Sequence, residues 1–311
     1  MKTAFLFSGQ GAQYKGMGQD FYEEFSEVRH IFDQASKQLN VDLAEICFEE
    51  DERLNETAYT QPAILTVSHA IEEIVKKAVG VTPDAVAGLS LGEYTALVSS
   101  KALDFMDAVP LVHQRGALME KAVPQGEGAM AAILGLDSSI LLRICEDVSK
   151  DNFVAIANYN TPEQLVISGE TEGVAQAMTL ALDNGAKKAV KLNVSGPFHT
   201  KLLQPAGAQF TEALETVTFR SFDYPVYSNV TAETYSADTQ AIKPLLTSQI
   251  SSPVKFEQMV RRMISDGVTT FIEVGPGKTL RSFVKSIDRT VTVKNIEKVK
   301  QLDTIAKILH S

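Results

Sequence analysis

Short apolar runs alternate along the chain with longer segments in which apolar residues recur every three or four positions. The runs are typical of buried β-strands, and the longer segments are typical of amphipathic helices. In the first third of the chain, strands are predicted over Thr3–Phe7 and Ala85–Leu89, and helices over Phe21–Leu39, over Gln61–Ala78 and from Leu91 onward. Such alternation favours an α/β fold built on a mostly parallel sheet.

A further helix is predicted over Ala108–Ala122 with Asp107 as its N-cap, because this start places Pro110 in the first turn, where a missing N–H does least harm. The last third of the chain repeats the alternation. It predicts helices over Leu202–Glu215, Val254–Asp266 and Asp303–Leu309, and strands near Val226–Ser228 and over Thr270–Val274.

The order of elements changes after the Pro124-Gln125-Gly126 break. The sequence there predicts a strand, a helix, two strands, a helix and a last strand, over Ala129–Leu134, Ser138–Ser149, Phe153–Ala157, Gln164–Ser168, Thr171–Asn184 and Lys188–Val194. This βαββαβ order is the ferredoxin-like arrangement. We therefore predict a small ferredoxin-like subdomain at 124–196, inserted into a larger α/β subdomain formed by 1–123 and 197–311.

Composition narrows the classes of function. Of the 311 residues, 44% are hydrophobic, enough to bury a large core. The formal net charge of −10 argues against non-specific nucleic-acid binding, because no excess of Lys and Arg exists to displace phosphate counterions. Cys47 and Cys145 belong to no metal-ligand cluster. No apolar run is long enough for a signal segment or a membrane span, so a cytoplasmic protein is predicted, with a monomer as the default.

Two glycine-rich stretches suggest nucleotide binding, but their spacing does not support it. Gly9-Gln10-Gly11 follows a strand, yet Tyr14 stands where a dinucleotide fingerprint needs its third glycine. Gly277-Lys278-Thr279 ends like a P-loop, yet Ile272 stands where that motif begins with glycine. The simpler interpretation of Gly275-Pro276-Gly277 is a tight strand-to-helix turn.

The stretch Gly88-Leu89-Ser90-Leu91-Gly92 lies between a predicted strand and a predicted helix, which is the setting of a nucleophile elbow. Such a turn exposes the serine hydroxyl and points the first N–H groups of the helix, that of Leu91 among them, at an oxygen bound there. A structural turn that matches G-x-S-x-G by chance is the alternative. The strand-turn-helix context favours a nucleophilic Ser90 in an α/β-hydrolase-like subdomain.

A serine nucleophile needs a base within hydrogen-bond reach. Of the five histidines, His310 is near the end of the chain, and His30, His69 and His113 lie within helical patterns. His199 stands apart, because it lies in a loop between a predicted strand and a predicted helix, from which side chains commonly reach into clefts. The spacing singles out no Asp or Glu as the third member of a triad.

The motifs together resemble those of the malonyl-CoA:acyl carrier protein transacylases, the acyltransferases that load malonyl groups in fatty-acid synthesis. The resemblance runs nearly end to end. It rests on Phe7-Ser8-Gly9-Gln10-Gly11, Gly16-Met17-Gly18, Gln61-Pro62-Ala63, Gly88-Leu89-Ser90-Leu91-Gly92-Glu93, Gln114-Arg115-Gly116, Ser195-Gly196-Pro197-Phe198-His199, Gln249, Ser252-Pro253-Val254 and Glu273-Val274-Gly275-Pro276-Gly277. One departure is Leu89, which stands where the family usually has histidine.

The resemblance implies roles for the remaining site residues. The base His199 would be oriented by the backbone carbonyl of Gln249, and the backbone N–H groups of Gln10 and Leu91 would form the oxyanion hole. The guanidinium of Arg115 would take the free malonyl carboxylate in a bidentate grip.

The resemblance also implies a substrate and a partner. The reaction would be a ping-pong transfer of malonyl from malonyl-CoA to Ser90 and then to the phosphopantetheine thiol of acyl carrier protein, with no metal and no cofactor. Phe198 stands where relatives that take bulkier extender units carry a small residue, so it predicts too little room for an α-methyl group. Because carrier proteins of this pathway are acidic, Lys187 and Lys188 are candidates for docking, although surface lysines that are merely solvated would explain them equally well.

Two other classes of function stay open from the sequence. An α/β hydrolase would share the elbow, but it would normally supply an acidic residue between serine and histidine in chain order and would not need Arg115. A non-catalytic protein that only docks a carrier protein would not need the hydroxyl of Ser90.

Overall fold

The computed structural model describes residues 2–194 and 196–310, and these contain two four-stranded sheets. The strands are, in chain order, β1 (Lys2–Phe7), β2 (Ala85–Gly88), β3 (Gly128–Leu134), β4 (Val154–Thr161), β5 (Gln164–Glu170), β6 (Lys188–Lys191), β7 (Val268–Val274) and β8 (Thr292–Ile296). The helices are α1 (Gln19–Glu24), α2 (Ser26–Leu39), α3 (Leu43–Phe48), α4 (Thr57–Val79), α5 (Leu91–Ser99), α6 (Phe105–Lys121), α7 (Ser138–Val148), α8 (Thr171–Asp183), α9 (Gln204–Glu215), α10 (Ile242–Ser251), α11 (Phe256–Ser265), α12 (Thr279–Ile287) and α13 (Leu302–Leu309).

Four strands form a parallel sheet in the spatial order β2-β1-β7-β8. Every residue of β2 is buried, as expected of a parallel sheet that is covered on both faces. Phe7, the last residue of β1, is in register with Gly88 at the end of β2 and with Val274 at the end of β7. Because the carboxyl ends of parallel strands meet at one edge, the loops that follow β1, β2 and β7 converge there.

The other four strands form an antiparallel sheet in the order β4-β5-β3-β6. One face, which includes Ala131 and Ile133 of β3, packs with α7 and α8 in a core of its own. The other face, which includes Met130 and Ala132, joins the main core. This division follows from the two-residue period of a strand. The predicted fold class, α/β with a parallel sheet and an inserted ferredoxin-like unit, is confirmed, while the subdomain boundaries at 124 and 196 stay a prediction.

One predicted helix is two helices. The segment 21–39 is divided between α1 and α2, because the backbone of Phe25 is extended, with φ −112° and ψ 123°. The strand predicted near 226–228 is reduced to an isolated parallel bridge between Val226 and Val86. The hydrophobic pattern also does not predict α3, α10 or β8.

The helix that carries Arg115 begins earlier than predicted, at Phe105. Its N-cap is Asp104 and not Asp107, because the Asp104 carboxylate accepts the N–H of Met106 at 2.9 Å. Pro110 therefore lies inside α6 and not in its first turn. No helix of the described residues is both long enough and apolar enough to cross a bilayer.

The backbones of helices α6 and α4 come close together where the helices cross, because Gly116 has no side chain. A Cβ at this position would lie 2.4 Å from the carbonyl oxygen of Thr57, the first residue of α4. The neighbouring residue Arg115 is fully buried. The distance between α6 and α4 at this crossing therefore determines how deeply the guanidinium of Arg115 is buried.

Gly116→Ala should destabilise the protein, because the added methyl group forces α6 away from α4. Overpacking of this kind costs about 1 to 3 kcal/mol of unfolding free energy, which urea unfolding followed by circular dichroism measures. The matched control is Gly207→Ala on α9, where a Cβ stays 3.2 Å from its nearest neighbour. A Gly116→Ala protein as stable as this control would contradict the steric account of the crossing.

Candidate active site

Ser90 occupies the sharp turn between β2 and α5. Its φ of 54° and ψ of −105° lie in a region that residues with a side chain rarely adopt. Glycines on both sides make the turn possible. A Cβ on Gly92 would lie 2.0 Å from the carbonyl oxygen of Phe7, and one on Gly88 would lie 2.0 Å from the backbone of Gly92. The G-x-S-x-G stretch thus has the close strand-helix packing of a nucleophile elbow.

The side chain of Asn229, which is distant in the sequence, stabilises this elbow through hydrogen bonds to its backbone. Its Oδ1 accepts the N–H of Ser90 at 2.6 Å, and its Nδ2 donates to the carbonyl oxygen of Gly88 at 2.7 Å. Sequence analysis misses this residue, because a lone Asn after a predicted strand is equally typical of an ordinary turn. Its position just after the apolar 226–228 run is the only local signal.

The fold brings His199 to Ser90. Nε2 of His199 lies 2.8 Å from Oγ of Ser90, and Nδ1 lies 2.9 Å from the main-chain oxygen of Gln249. Because a carbonyl oxygen only accepts hydrogen bonds, Nδ1 carries the proton, and Nε2 keeps a lone pair for the serine hydroxyl. No carboxylate among the described residues bonds this imidazole, and the acceptor that orients Nδ1 is the backbone carbonyl of Gln249.

Burial keeps His199 neutral. The loss of solvation, and after it the positive charge of Arg115, lower the pKa of the imidazole, while hydrogen bonding to the backbone at Gln249 and Ser252 raises it; together these effects bring the pKa from 6.5 to about 4. At neutral pH, the imidazole therefore has no proton on Nε2 and can accept one from the hydroxyl beside it.

Arg115 reaches the same cluster from α6. Nη1 donates to Oε1 of Gln61 at 2.8 Å, and Nη2 donates to Oγ of Ser90 at 3.1 Å and to Oε1 of Gln249 at 2.9 Å. The guanidinium also lies over the ring of Tyr94, with Cζ 5.1 Å from the ring centre. Within the described residues, no carboxylate lies at ion-pair distance from Arg115, although the side chain is fully buried. A buried charge without a direct counter-ion is costly, so this position favours an anionic ligand.

Gln10 and Leu91 belong to two loops that meet at the carboxyl edge of the parallel sheet, and both residues line the cavity beside Ser90. Leu91 begins α5, so its N–H lies at the positive end of the helix dipole. The Gln10 loop reaches the elbow because a Cβ on Gly9 would lie 2.3 Å from the carbonyl oxygen of Leu89. Two backbone segments beside one nucleophile are what an oxyanion hole requires.

The cavity has a volume of about 220 Å³ and is lined by both units of the fold. The insertion contributes Met130, Asn158, Asn160 and Val166 to its wall. Phe198 also lines it and is buried, so an aromatic ring limits the space next to the hydroxyl of the elbow.

Lys187 and Lys188 do not line this cavity and are exposed. Nζ of Lys187 lies 3.0 Å from the carboxylate of Glu163, and an exposed pair of this kind contributes at most about 1 kcal/mol. Their part in docking stays a prediction. Ser195 of the predicted 195–199 motif lies outside the described residues.

One group of the described residues has the ligand types of a metal site. His69, Glu72 and Glu73 bring ligand atoms within 4.8 Å of one another. Nζ of Lys76 lies 2.8 Å from Glu72 and 3.8 Å from Glu73, so an ammonium group already pairs with both carboxylates. None of the four lines the cavity beside Ser90.

Comparison with known proteins identifies the family. Residues 4–307 match the model of the acyl transferase domain. The chain is 47% identical over 304 residues to the malonyl CoA-acyl carrier protein transacylase of Bacillus subtilis, with 96% of this chain and 95% of the relative covered. The chain belongs to the malonyl CoA-acyl carrier protein transacylase family.

Solved structures of this transacylase family agree closely with the fold. The malonyl CoA-acyl carrier protein transacylase from Clostridium perfringens has a TM-score of 0.95 at 44% identity, covering 100% of this chain and 98% of its own. A malonyl-transacylase in complex with its type II PKS acyl-carrier protein has a TM-score of 0.96 at 37% identity, covering 99% of this chain and 100% of its own.

One position departs from the usual transacylase pattern. Leu89 stands where a histidine is expected, and it lines the cavity with a partly buried apolar side chain. Side chains of His199, Arg115, Asn229 and Gln249 make hydrogen bonds to Ser90, so Leu89 removes none of these contacts.

Asn229→Ala should destabilise the protein, because the substitution leaves the N–H of Ser90 and the carbonyl of Gly88 without these partners. Each unsatisfied buried group costs about 1 to 3 kcal/mol, and the change in unfolding free energy is measured by urea titration. Asn184→Ala is the control, since Asn184 is exposed and bonds only a nearby helix carbonyl. Equal stabilities for the two variants would show that Asn229 does not fasten the elbow.

Proposed function

We propose that this chain transfers a malonyl group from malonyl-CoA to the phosphopantetheine thiol of an acyl carrier protein, by way of a malonyl ester on Ser90. The observation that carries the proposal is the position of Arg115, a fully buried cation whose Nη2 lies 3.1 Å from the nucleophilic oxygen. A cation at this place selects an acyl group that brings its own carboxylate. The names of the relatives support the same substrate and the same partner.

In the first half-reaction, Oγ of Ser90 attacks the thioester carbonyl while its proton passes to Nε2 of His199, 2.8 Å away. The resulting oxyanion is stabilised by the N–H groups of Gln10 and Leu91 and by the dipole of α5. When the tetrahedral intermediate collapses, the carbon-sulfur bond breaks. The departing sulfur of CoA takes the proton from the imidazolium, which returns His199 to its neutral form.

In the second half-reaction, the phosphopantetheine thiol of the carrier protein attacks the malonyl-serine ester. His199 takes the thiol proton and then delivers it to Oγ of Ser90 as the ester bond breaks. The product is malonyl bound to the carrier protein through a thioester, which supplies fatty-acid elongation. A related malonyl-transacylase forms a complex with its acyl-carrier protein, which supports a carrier protein as the second substrate.

Selectivity for malonyl follows from two side chains. The substrate carboxylate takes the place of Oγ at Nη2 of Arg115 and also bonds Nη1, in the bidentate geometry that a guanidinium favours. The ring of Phe198 restricts the cavity and disfavours an α-methyl branch, a discrimination of about 1 to 3 kcal/mol.

The proposal needs no metal and no cofactor, because a neutral imidazole and backbone donors supply the acid-base and electrostatic functions. We propose that the protein acts as a monomer in the cytoplasm. We also propose that Lys187 and Lys188 are part of the surface that docks the acidic carrier protein. Both cysteines, Cys47 and Cys145, are buried and unpaired, which is compatible with a reducing compartment.

Intact-mass analysis after incubation with malonyl-CoA tests the function directly. We expect a malonyl adduct on the parent protein and none on Ser90→Ala, because the ester oxygen is absent. Arg115→Ala should lose most of the preference for malonyl-CoA over acetyl-CoA, roughly 10- to 100-fold, because a charge-assisted bidentate contact is lost. Rapid release of free malonate without a thiol acceptor would favour a hydrolase, and Ser90→Ala with full transfer activity would favour a docking protein.

The low pKa of His199 predicts the pH dependence of acylation. Since the imidazole accepts a proton only when neutral, kcat/KM should fall on the acid side near pH 4 rather than near its ordinary value of 6.5. Arg115→Met removes a charge that lowers this pKa, so the acid limb should move to higher pH. The measurement is kcat/KM against pH with acetyl-CoA, whose acyl group does not use Arg115. An acid limb that stays in place or moves to lower pH in the variant would contradict this assignment.

A further inference from the structure

Glu93 is a buried carboxylate next to the reacting groups that the proposed chemistry does not use. It is fully buried in the first turn of α5. Its Oε1 accepts the hydroxyl of Tyr235 at 2.6 Å, and its Oε2 accepts Nε2 of Gln249 at 2.6 Å. Both carboxylate oxygens are therefore occupied by donors that come from other parts of the chain.

The side-chain amide of Gln249 links Glu93 to the guanidinium. Its Nε2 also donates to the main-chain oxygen of Ser90 at 3.0 Å, and its Oε1 accepts Nη2 of Arg115 at 2.9 Å. The amide has one orientation that satisfies these partners, because two acceptors lie on one side and a cationic donor lies on the other. Glu93 thereby fixes which end of the amide Arg115 meets.

We infer that Glu93 is a positioning residue that aims the guanidinium of Arg115 at the acyl site through the amide of Gln249. The inference rests on the proposed malonyl transfer and extends it to a residue outside the contact with substrate. It accounts for how a cation can be buried without a carboxylate beside it.

The interposed amide also explains why Arg115 stays available. A carboxylate in direct contact with the guanidinium would form the ion pair that the substrate must form, and it would compete for the same N–H groups. With the neutral amide of Gln249 between them, the negative charge of Glu93 attracts Arg115 without a direct contact. Burial raises the pKa of Glu93, and the hydrogen bonds from Tyr235, Gln249 and the backbone of Asn229, with the charge of Arg115, lower it; the pKa that results is about 7, and the carboxylate is mainly charged above that pH.

The test compares kcat/KM for malonyl-CoA and acetyl-CoA in Glu93→Gln, with adduct formation on Ser90 as the readout. Gln at this position has one uncharged acceptor oxygen in place of two carboxylate oxygens, so it cannot accept from both Tyr235 and Gln249 as Glu93 does, and the Gln249 amide is held less firmly. We expect the malonyl-to-acetyl ratio to fall roughly 10- to 100-fold, the loss expected for a hydrogen bond to a charged group. A variant that is merely less folded would lower both values by the same factor and leave the ratio unchanged.

Glu72→Gln is the matched control. Glu72 is also a fully buried carboxylate, but it bonds Ser99 and pairs with Lys76 at 2.8 Å. Its ratio should equal that of the parent, even if its thermal stability is lower. Tyr235→Phe is the second variant; it removes one donor from Glu93 and should lower the ratio in the same direction, by about two- to tenfold.

The outcomes separate the inference from the function on which it rests. A parent protein that forms no malonyl adduct would overturn the proposed function, and this inference with it. A parent that forms the adduct, together with unchanged ratios in Glu93→Gln and Tyr235→Phe, would overturn the inference alone. The same fall in Glu72→Gln as in Glu93→Gln would also overturn it, because any buried carboxylate would then suffice.

Discussion

The strained backbone of Ser90 is the constraint on which the rest of the site depends. Strain at a φ of 54° persists only where neighbouring structure holds it. Here side chains make hydrogen bonds to both the backbone N–H and the backbone carbonyl of Ser90. Asn229 accepts its N–H and Gln249 donates to its carbonyl oxygen, and the two come from segments that follow the insertion. The elbow is therefore a tertiary structure and not a local turn, and its geometry depends on the packing of the whole α/β unit.

The same packing assembles the cavity. The parallel sheet places the loops after β1 and β2 side by side at its carboxyl edge, and the insertion supplies the opposite wall. β4 contacts the α/β unit directly, since the N–H of Tyr159 donates to the carbonyl of Val254 at 2.9 Å and the N–H of Val254 donates to that of Ala157 at 2.8 Å. These bonds tie the wall of the cavity to the start of α11. The insertion therefore forms part of the site, because it contributes residues to the wall of the cavity.

The elements that sequence analysis predicts well are those with a repeated pattern. Strands buried on both faces, long amphipathic helices and the βαββαβ order all repeat a signal over several residues, and the elbow adds glycines in a strand-turn-helix context. Single positions are different. Phe25 divides a helix through its extended backbone, and Asp104 caps one in place of Asp107 through a hydrogen bond to the N–H of Met106; neither leaves a repeated pattern in the sequence.

The polar network behind the nucleophile escapes prediction for another reason. Asn229, Glu93 and Tyr235 act through hydrogen bonds to partners more than a hundred residues away, and bonds of that kind leave no periodic trace in the sequence. The role of Gln249 is even harder to predict from the sequence, because one of its contacts uses a backbone carbonyl that any residue could supply. Only the resemblance to a family singles it out, and the roles of these side chains in catalysis stay predictions.

Within residues 2–194 and 196–310, no carboxylate bonds the imidazole of His199, and this has an electrostatic rationale. An Asp at the Nδ1 side of His199 would lie in the same buried cluster as Arg115, and its negative charge would attract the guanidinium that, in the proposed mechanism, binds the substrate carboxylate. A backbone carbonyl fixes the tautomer equally well and adds no net charge. It stabilises an imidazolium less than a carboxylate would, but in the proposed mechanism the substrate compensates, because its carboxylate would offset the charge of Arg115. On this proposal, the carboxylate that the site selects also makes His199 a stronger base, because it offsets the charge that lowers the pKa of the imidazole.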